Sequence, residues 1–342
     1  MKYLRFLLFP FSFIYYLITS IRNFLYDNQI LKSYSFSIPI ITVGNLSVGG
    51  TGKTPQIEYL IALLKDTYKT AVLSRGYKRK TSGFLLISKD NTYVDSGDEP
   101  MQYFKKFSNI SVAVDEKRVR GIQSLLRLKE SDVVLLDDAF QHRKVKGSYA
   151  ILLTNYNDLF INDFILPVGN LRESRRGAQR ANAIVVTKCP ENLPLKEQEA
   201  ISKLFNTYNA AVFFSKISYA SSIRGINEIA INELSNYKVL LITGIANPTS
   251  LLSFLKSNNV DFDHLEYPDH HNFIEKDILK IKKRYQEIAT KNKLILTTEK
   301  DFVRLELKLN NLYYLPIKTA FLEEKQQINF DDLILSHIKN FK

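Results

Sequence analysis

From residue 37 onward, short β-branched runs alternate with stretches of helical period. The runs at 38–43, 70–74, 83–87, 111–115, 133–137, 150–154 and 183–187 read as strands, with helical patterns at 56–65, 116–130 and 195–208. Continuous apolar runs, rather than alternating ones, mark strands covered on both faces, so a largely parallel sheet is expected. The theme restarts with a strand at 238–243 and a helix at 248–258, then a helix at 274–291, strands at 294–297 and 312–315, and a helix at 330–340. Ser, Asn and Gly accumulate without a strong period in 217–236, which sets the expected boundary. The predicted fold is α/β, with two three-layer α/β/α domains at 26–216 and 217–342.

The amino terminus follows another pattern. Residues 6–21 form a charge-free run of sixteen, flanked by Lys2 and Arg5 on one side and Arg22 on the other. That is short of the roughly 20 residues a spanning helix needs, and Pro10 is expected to interrupt it. No small-x-small cleavage site follows it. Tyr15, Tyr16 and Tyr26 suit an interfacial depth, where an amphipathic ring keeps one wet edge. The expectation is a membrane-associated helix over 1–25, inserted shallowly with the body on the cytoplasmic side. A helix packed into the body is the competing reading.

Composition adds little until charge is considered. The 342 residues are 45% hydrophobic and 24% charged, which excludes collagen-like, disordered and multi-spanning classes. One cysteine excludes an intrachain disulfide and suits a reducing compartment. The 47 Lys and Arg against 35 Asp and Glu leave a net charge of +12, which calls for an anionic partner.

The sharpest chemical signal lies at 43–55, VGNLSVGGTGKTP, between a predicted strand and a predicted helix. That context is what a Walker A phosphate loop requires. Glycines let consecutive backbone N–H groups converge on phosphate oxygens, and the helix amino terminus adds its dipole. Ser47, Val48, Gly49, Gly50, Thr51, Gly52, Lys53 and Thr54 would cradle a nucleoside triphosphate. Lys53 would reach the β- and γ-phosphates, and the Thr54 hydroxyl would ligate Mg2+. Ser47 stands where the consensus has its first glycine. Downstream, 132–138 reads DVVLLDD, an apolar strand ending in paired carboxylates, where a Walker B aspartate holds magnesium or its water.

Seven motifs occur in order: GGTGKTP (49–55), SGDEP (96–100), VDEKRVRG (114–121), LLDDAFQHR (135–143), LPVGNLRE (166–173), PDHHNF (268–273) and TTEKDFVR (297–304). With the amino-terminal apolar helix, this set resembles the tetraacyldisaccharide 4′-kinase family of lipid A biosynthesis across essentially the whole chain. The resemblance implies transfer of the ATP γ-phosphate to the 4′-hydroxyl of a tetraacylated glucosamine disaccharide 1-phosphate, giving lipid IVA at the cytoplasmic face of the inner membrane. It also implies a hinge between two α/β/α domains, with the first P-loop NTPase-like and the nucleotide in the cleft. Asp98 matches the family's catalytic aspartate and His270, chosen over His271, its paired histidine. Asp138 matches a carboxylate of the magnesium site. Asp137, His142, Arg118, Arg172 and Glu173 match other active-site positions, with Glu173 placed beside Thr54 and Asp138 in the metal set.

On local sequence, Asp98 reads equally well as a helix cap before Pro100, and His270 as a solvated loop histidine. The basic clusters Arg75, Lys78, Arg79 and Lys80, and Arg172, Arg175, Arg176 and Arg180, read as solvated faces or as grips for phosphate and anionic headgroups. No nucleic-acid recognition motif appears, so the charge is assigned to nucleotide, lipid substrate and membrane surface. The alternative function is a membrane-associated ATPase of the partitioning or cell-division type. Those proteins place a lysine just before the Gly-Gly pair, where this chain has Val48. A third class is a nucleotide-binding tether without chemistry.

Overall fold

Strands with no exposed face need helices on both sides, and the computed structural model, which describes residues 5–341, supplies them around two sheets. The larger has nine strands in the order β15-β8-β7-β6-β1-β5-β2-β4-β3. Its centre is β1 (Ile40–Asn45), β2 (Thr70–Ser74) and β5 (Val133–Asp137), every residue buried. Beside them run β4 (Ser111–Val114), β6 (Tyr149–Asn155), β7 (Ala183–Thr187) and β8 (Ala211–Tyr219), all parallel. Only the edge strands β3 (Leu85–Leu86) and β15 (Ile317–Phe321) run antiparallel.

The smaller sheet orders six strands as β10-β9-β14-β13-β11-β12. β11 (Lys238–Thr243), β12 (Asp261–Glu266), β13 (Lys293–Thr298) and β14 (Leu312–Leu315) are parallel, and β9 (Ser222–Arg224) with β10 (Glu228–Ala230) close one edge as an antiparallel pair. β12 escaped the sequence reading because it is half-buried and polar, DFDHLE, with no apolar run to mark it.

Sheet membership departs from the expected segment 217–342 at its far end. β15 pairs with β8, and the helix Glu324–Lys339 buries Phe330, Ile334 and Ile338 in the core of the larger sheet. Phe321, Phe330, Phe213 and Tyr59 pack ring against ring there, holding the returning chain. The helical period predicted an amphipathic element but carried no information about which sheet it would cover.

The amino-terminal helix runs Phe9–Asp27 with Pro10 in its first turn, where no backbone N–H is needed, so the expected interruption does not occur. Its polar residues face the body. Ser12 Oγ donates to Ile165 O at 3.0 Å, Tyr15 Oη to Arg172 O at 3.0 Å, and Asn23 Nδ2 to Glu173 Oε2 at 2.7 Å. With Thr19, these recur at three- and four-residue spacing and form one inward-facing stripe, in which Ser12 and Thr19 are buried and Tyr15 and Asn23 half-buried. Phe9, Phe11, Phe13, Ile14, Leu17, Ile18, Ile21 and Phe24 are exposed, so amphipathicity is inverted and the apolar face turns outward. Arg5 reaches Asn170, whereas Lys2 lies outside the described residues.

Candidate active site

The phosphate loop leaves the carboxyl end of β1 and enters the helix Lys53–Leu64. Gly52 adopts φ +84°, a left-handed conformation that glycine takes without strain, and it turns the chain into the helix. The loop is held from behind. Val48 N donates to Asn170 O at 2.8 Å, Arg172 N to Leu46 O at 2.7 Å, and Thr187 Oγ1 to Thr51 O at 2.8 Å. Its front, Val48 to Gly50, is exposed, and no atom lies within 4 Å of a Cβ built on Gly49. The buried Thr51 hydroxyl has no partner among the described residues. Lys53 Nζ sits 3.2 Å from Asn45 Oδ1 and 3.8 Å from Asp138. Lys188, which the sequence reading passed over, donates to Gly50 O at 2.6 Å.

Parallel pairing sets Val43 of β1 opposite Asp137 of β5, so the phosphate loop and the paired carboxylates emerge side by side. Asp137 is 1% exposed and accepts from Ser74 Oγ at 3.2 Å and Tyr103 Oη at 3.3 Å. Burial, with the like charges of Glu99 and Asp138, raises its pKa well above the usual carboxylate range. For Asp138 burial acts upward, but Lys53 and Arg172 outweigh it and the net shift is downward. Arg172 Nη1 donates to Asp138 Oδ1 at 3.1 Å, and Asp138 holds φ +44°, a strained conformation for a non-glycine residue. A dication here would offset the carboxylate repulsion at Asp137, and Thr54 and Asp138 would offer it oxygen ligands. The donor set therefore fits Mg2+ coordinated in part by phosphate and water.

Arg118 opens the helix Arg118–Leu128, and it is 3% exposed. Its Nη1 donates to Asp115 O at 2.6 Å, while Nε and Nη2 are buried without a partner among the described residues. Burial lowers its pKa to about 10, and such orphaned donors mark a place for an anion. Burial first, then Arg118 and Arg75, lowers His142 to about 4, so its ring is neutral near pH 7. His142 lines a cavity of about 800 Å³ together with Tyr26, Lys32, Arg143, Lys146 and Arg180. Glu173, grouped by sequence with the metal ligands, is 0% exposed and accepts from Arg180 at 2.8 Å, Gln141 at 3.1 Å and Asn23 at 2.7 Å. Its carboxylate ties the amino-terminal helix to the loop carrying Arg172.

The second cluster spans the two sheets. Gly97, at φ +91°, has no room for a Cβ, which would lie 2.9 Å from Tyr77 O, and it delivers Asp98 to the first turn of the helix Asp98–Lys106. No side chain caps that helix at Gly97; the Asp98 carboxylate turns to the smaller sheet instead. His270 Nδ1 lies 3.3 Å from Asp98 Oδ2, whereas His271 pairs with Asp277 at 2.8 Å. His270 holds φ +56° on the turn after β12. Arg304 Nε donates to Asp98 Oδ1 at 2.8 Å and its Nη2 to Asp98 Oδ2, while Lys300 Nζ meets His270 Nε2 at 2.9 Å. Burial opposes ionisation of Asp98, but hydrogen bonds from Arg304 and His270 bring its pKa down to about 2. Glu99 links the clusters, because it is near enough to Asp137 to shift it. Arg304 and Lys300 belong to TTEKDFVR, a motif noted in the sequence without any role for its members.

A model of the tetraacyldisaccharide-1-P 4′-kinase family matches residues 4–339. A tetraacyldisaccharide 4′-kinase of Flavobacterium psychrophilum is 54% identical, with 99% of this chain and 98% of that protein covered. One from Bacteroides thetaiotaomicron is 44% identical over 97% of this chain and 93% of its own. Among solved structures, the "apo" form of LpxK from Aquifex aeolicus in complex with ATP superposes with a TM-score of 0.78 at 31% identity, covering 98% of this chain and 99% of the other. A phosphate loop beside paired carboxylates, a cross-sheet Asp–His contact and these full-length matches agree: the chain belongs to the tetraacyldisaccharide 4′-kinase family, the lipid A biosynthesis kinases.

Proposed function

We propose that this kinase transfers the γ-phosphoryl group of ATP to the 4′-hydroxyl of a tetraacylated glucosamine disaccharide 1-phosphate, giving lipid IVA. The observation that carries the reading is the Asp98–His270 contact, which brings a carboxylate from the larger sheet and an imidazole from the smaller one to one place. Asp98 takes the proton of the acceptor hydroxyl, and His270 orients that carboxylate. As the new O–P bond forms, the bond from the γ-phosphorus to the β–γ bridging oxygen breaks and ADP leaves with that electron pair. The 47–54 loop and Lys53 hold the phosphates. Arg118, with its unpartnered donors, and Arg172 face the developing charge. Thr54 and Asp138 would hold Mg2+, which when bound would neutralise charge on the phosphate oxygens. Asp137 supports that site from beneath, and neutral His142 lines the adjoining cavity.

The chain works as a larger body, 26–219 with the returning segment 317–341, and a smaller body that closes on it. Links at 219–222 and 315–317 form the hinge. The inverted helix lies in the inner leaflet of the inner membrane, its apolar face in lipid and the body on the cytoplasmic side, monotopic rather than spanning. Its outward aromatic and aliphatic residues support this reading. Purified protein with Mg-ATP and the tetraacyl disaccharide 1-phosphate should yield a lipid bearing a second phosphate. ATP hydrolysis without a phosphorylated lipid would instead favour the partitioning-type ATPase. Removal of residues 1–25 should release the protein from sedimenting vesicles, and undiminished sedimentation would reject the helix as anchor.

A further inference from the structure

We propose that Lys300 and Arg304 are positioning residues that set, respectively, the tautomer of His270 and the orientation of the Asp98 carboxylate. The inference rests on the reading that Asp98 and His270 serve the acceptor hydroxyl. Both cations lie on the short helix Glu299–Leu305, four residues apart and therefore on one face. That helix ends the TTEKDFVR segment, so one piece of sequence supplies both contacts.

The tautomer follows from counting donors. An ammonium group has only donors, so Lys300 Nζ at 2.9 Å requires a lone pair on His270 Nε2. Nδ1 faces both Asp98 Oδ2 at 3.3 Å and Arg304 Nη2 at 3.2 Å, but Nη2 already donates to Asp98, so in the neutral ring the proton resides on Nδ1 and points to the carboxylate. The opposite tautomer would set N–H against ammonium at 2.9 Å and lose the contact to Asp98, keeping only the one from Arg304 Nη2 at 3.2 Å. With Nε2 capped, the ring cannot pass a proton onward, and it serves to orient the carboxylate.

Arg304 acts on the other partner. It is 3% exposed, and its Nε and Nη2 grip the two Asp98 oxygens as a planar fork. Its Nη1 holds His271 O at 3.1 Å and Asp301 Oδ1 at 3.3 Å, which fixes the turn that carries His270. The fork keeps Asp98 ionised but weakens it as a base. A loose phosphoryl-transfer transition state tolerates this, because the hydroxyl proton leaves late and a well-aimed weak base suffices. The other groups around the pair are Asp269, 3.4 Å from Lys300 and 4.0 Å from His270 Nε2, beyond hydrogen-bond reach of the ring, and the Tyr77 ring, edge-on to His270 at 5.4 Å. Interface stapling alone does not explain Arg304, since Lys106–Glu299 and Lys105–Glu306 already join the same two segments.

Ring 15N correlation spectra of full-length protein labelled at histidine, with His270→Gln for assignment, should show His270 protonated at Nδ1. Lys300→Met should move it toward the Nε2–H form and lower kcat about tenfold with KM for ATP unchanged, and Lys300→Arg should restore most of the loss. Arg304→Lys keeps the charge without the fork, and it should lower kcat by about 10- to 100-fold and move the acidic limb of the pH profile upward. An Nε2–H ring in the native protein, or a tautomer indifferent to Lys300→Met, would overturn the proposal. The half-exposed Lys300 keeps the test decisive if buried Arg304 variants fail to fold. If Asp98→Ala keeps normal turnover, the functional reading fails, while the tautomer measurement still judges this inference separately.

Discussion

The two halves of the site are built in opposite ways. The phosphate-loop corner comes from one contiguous segment, 43–55, joined to the end of the adjacent strand by parallel register. The Asp98–His270 corner joins residues 172 positions apart on different sheets. The first is a local backbone motif, and its geometry survives wherever that strand, loop and helix form. The second exists only while the sheets meet, so its geometry depends on the ion pairs between them. Lys106 is central there, lying 2.7 Å from Glu58 and 2.8 Å from Glu299. Burial and the neighbouring Glu299 raise the pKa of Glu58 well above the ordinary range.

The largest separation between the corners is expected from Lys53→Ala. It should cost about 10³-fold or more in kcat/KM by removing the cation from the phosphates, with thermal stability near wild type. Asp98→Ala should cost about 10²- to 10³-fold in kcat while the ATP dissociation constant stays within about twofold. Equal loss of nucleotide binding in both variants would break the distinction. Lys106→Met leaves Glu58 and Glu299 buried and unpaired, so unfolding free energy should fall by about 3 kcal/mol. Turnover should drop further than nucleotide affinity, as read by denaturant titration beside ATP binding.

A pH experiment probes the same corner. The folded-state pKa of Asp98 is depressed to about 2 from an ordinary 3.8. Its contribution to stability is therefore present above about pH 4 and lost as pH falls through 2. Asp98→Asn should be less stable than wild type at pH 7, with the gap closing in acid. The smallest effect is expected at the amino-terminal helix. Asn23→Ala removes one partner from buried Glu173, at a cost of about 1–2 kcal/mol, with kcat on a detergent-solubilised acceptor changed by less than about threefold.

Legibility tracked locality. The phosphate loop and DVVLLDD could be read because strand, turn and helix chemistry are written in neighbouring residues. Asp98 and His270 were legible only through the family resemblance, since each fits a bland local role. Lys300 and Arg304 stayed without a role although their motif was in view. Their partners lie on another element, and helical spacing alone does not say what a face meets. The same holds for the helix Glu324–Lys339, whose pattern was clear and whose sheet was not.

Sequence alone determined the α/β alternation, the nucleotide-binding loop and an apolar amino-terminal helix, because backbone preference, hydrophobic period and charge act over a few residues. Tertiary structure decided that the helix turns its polar stripe inward, that the chain's last strand returns to the first sheet, and which cations grip the Asp98–His270 pair. Those outcomes follow from side-chain packing and buried charge pairing between distant segments, whose energies exist only once the surfaces meet.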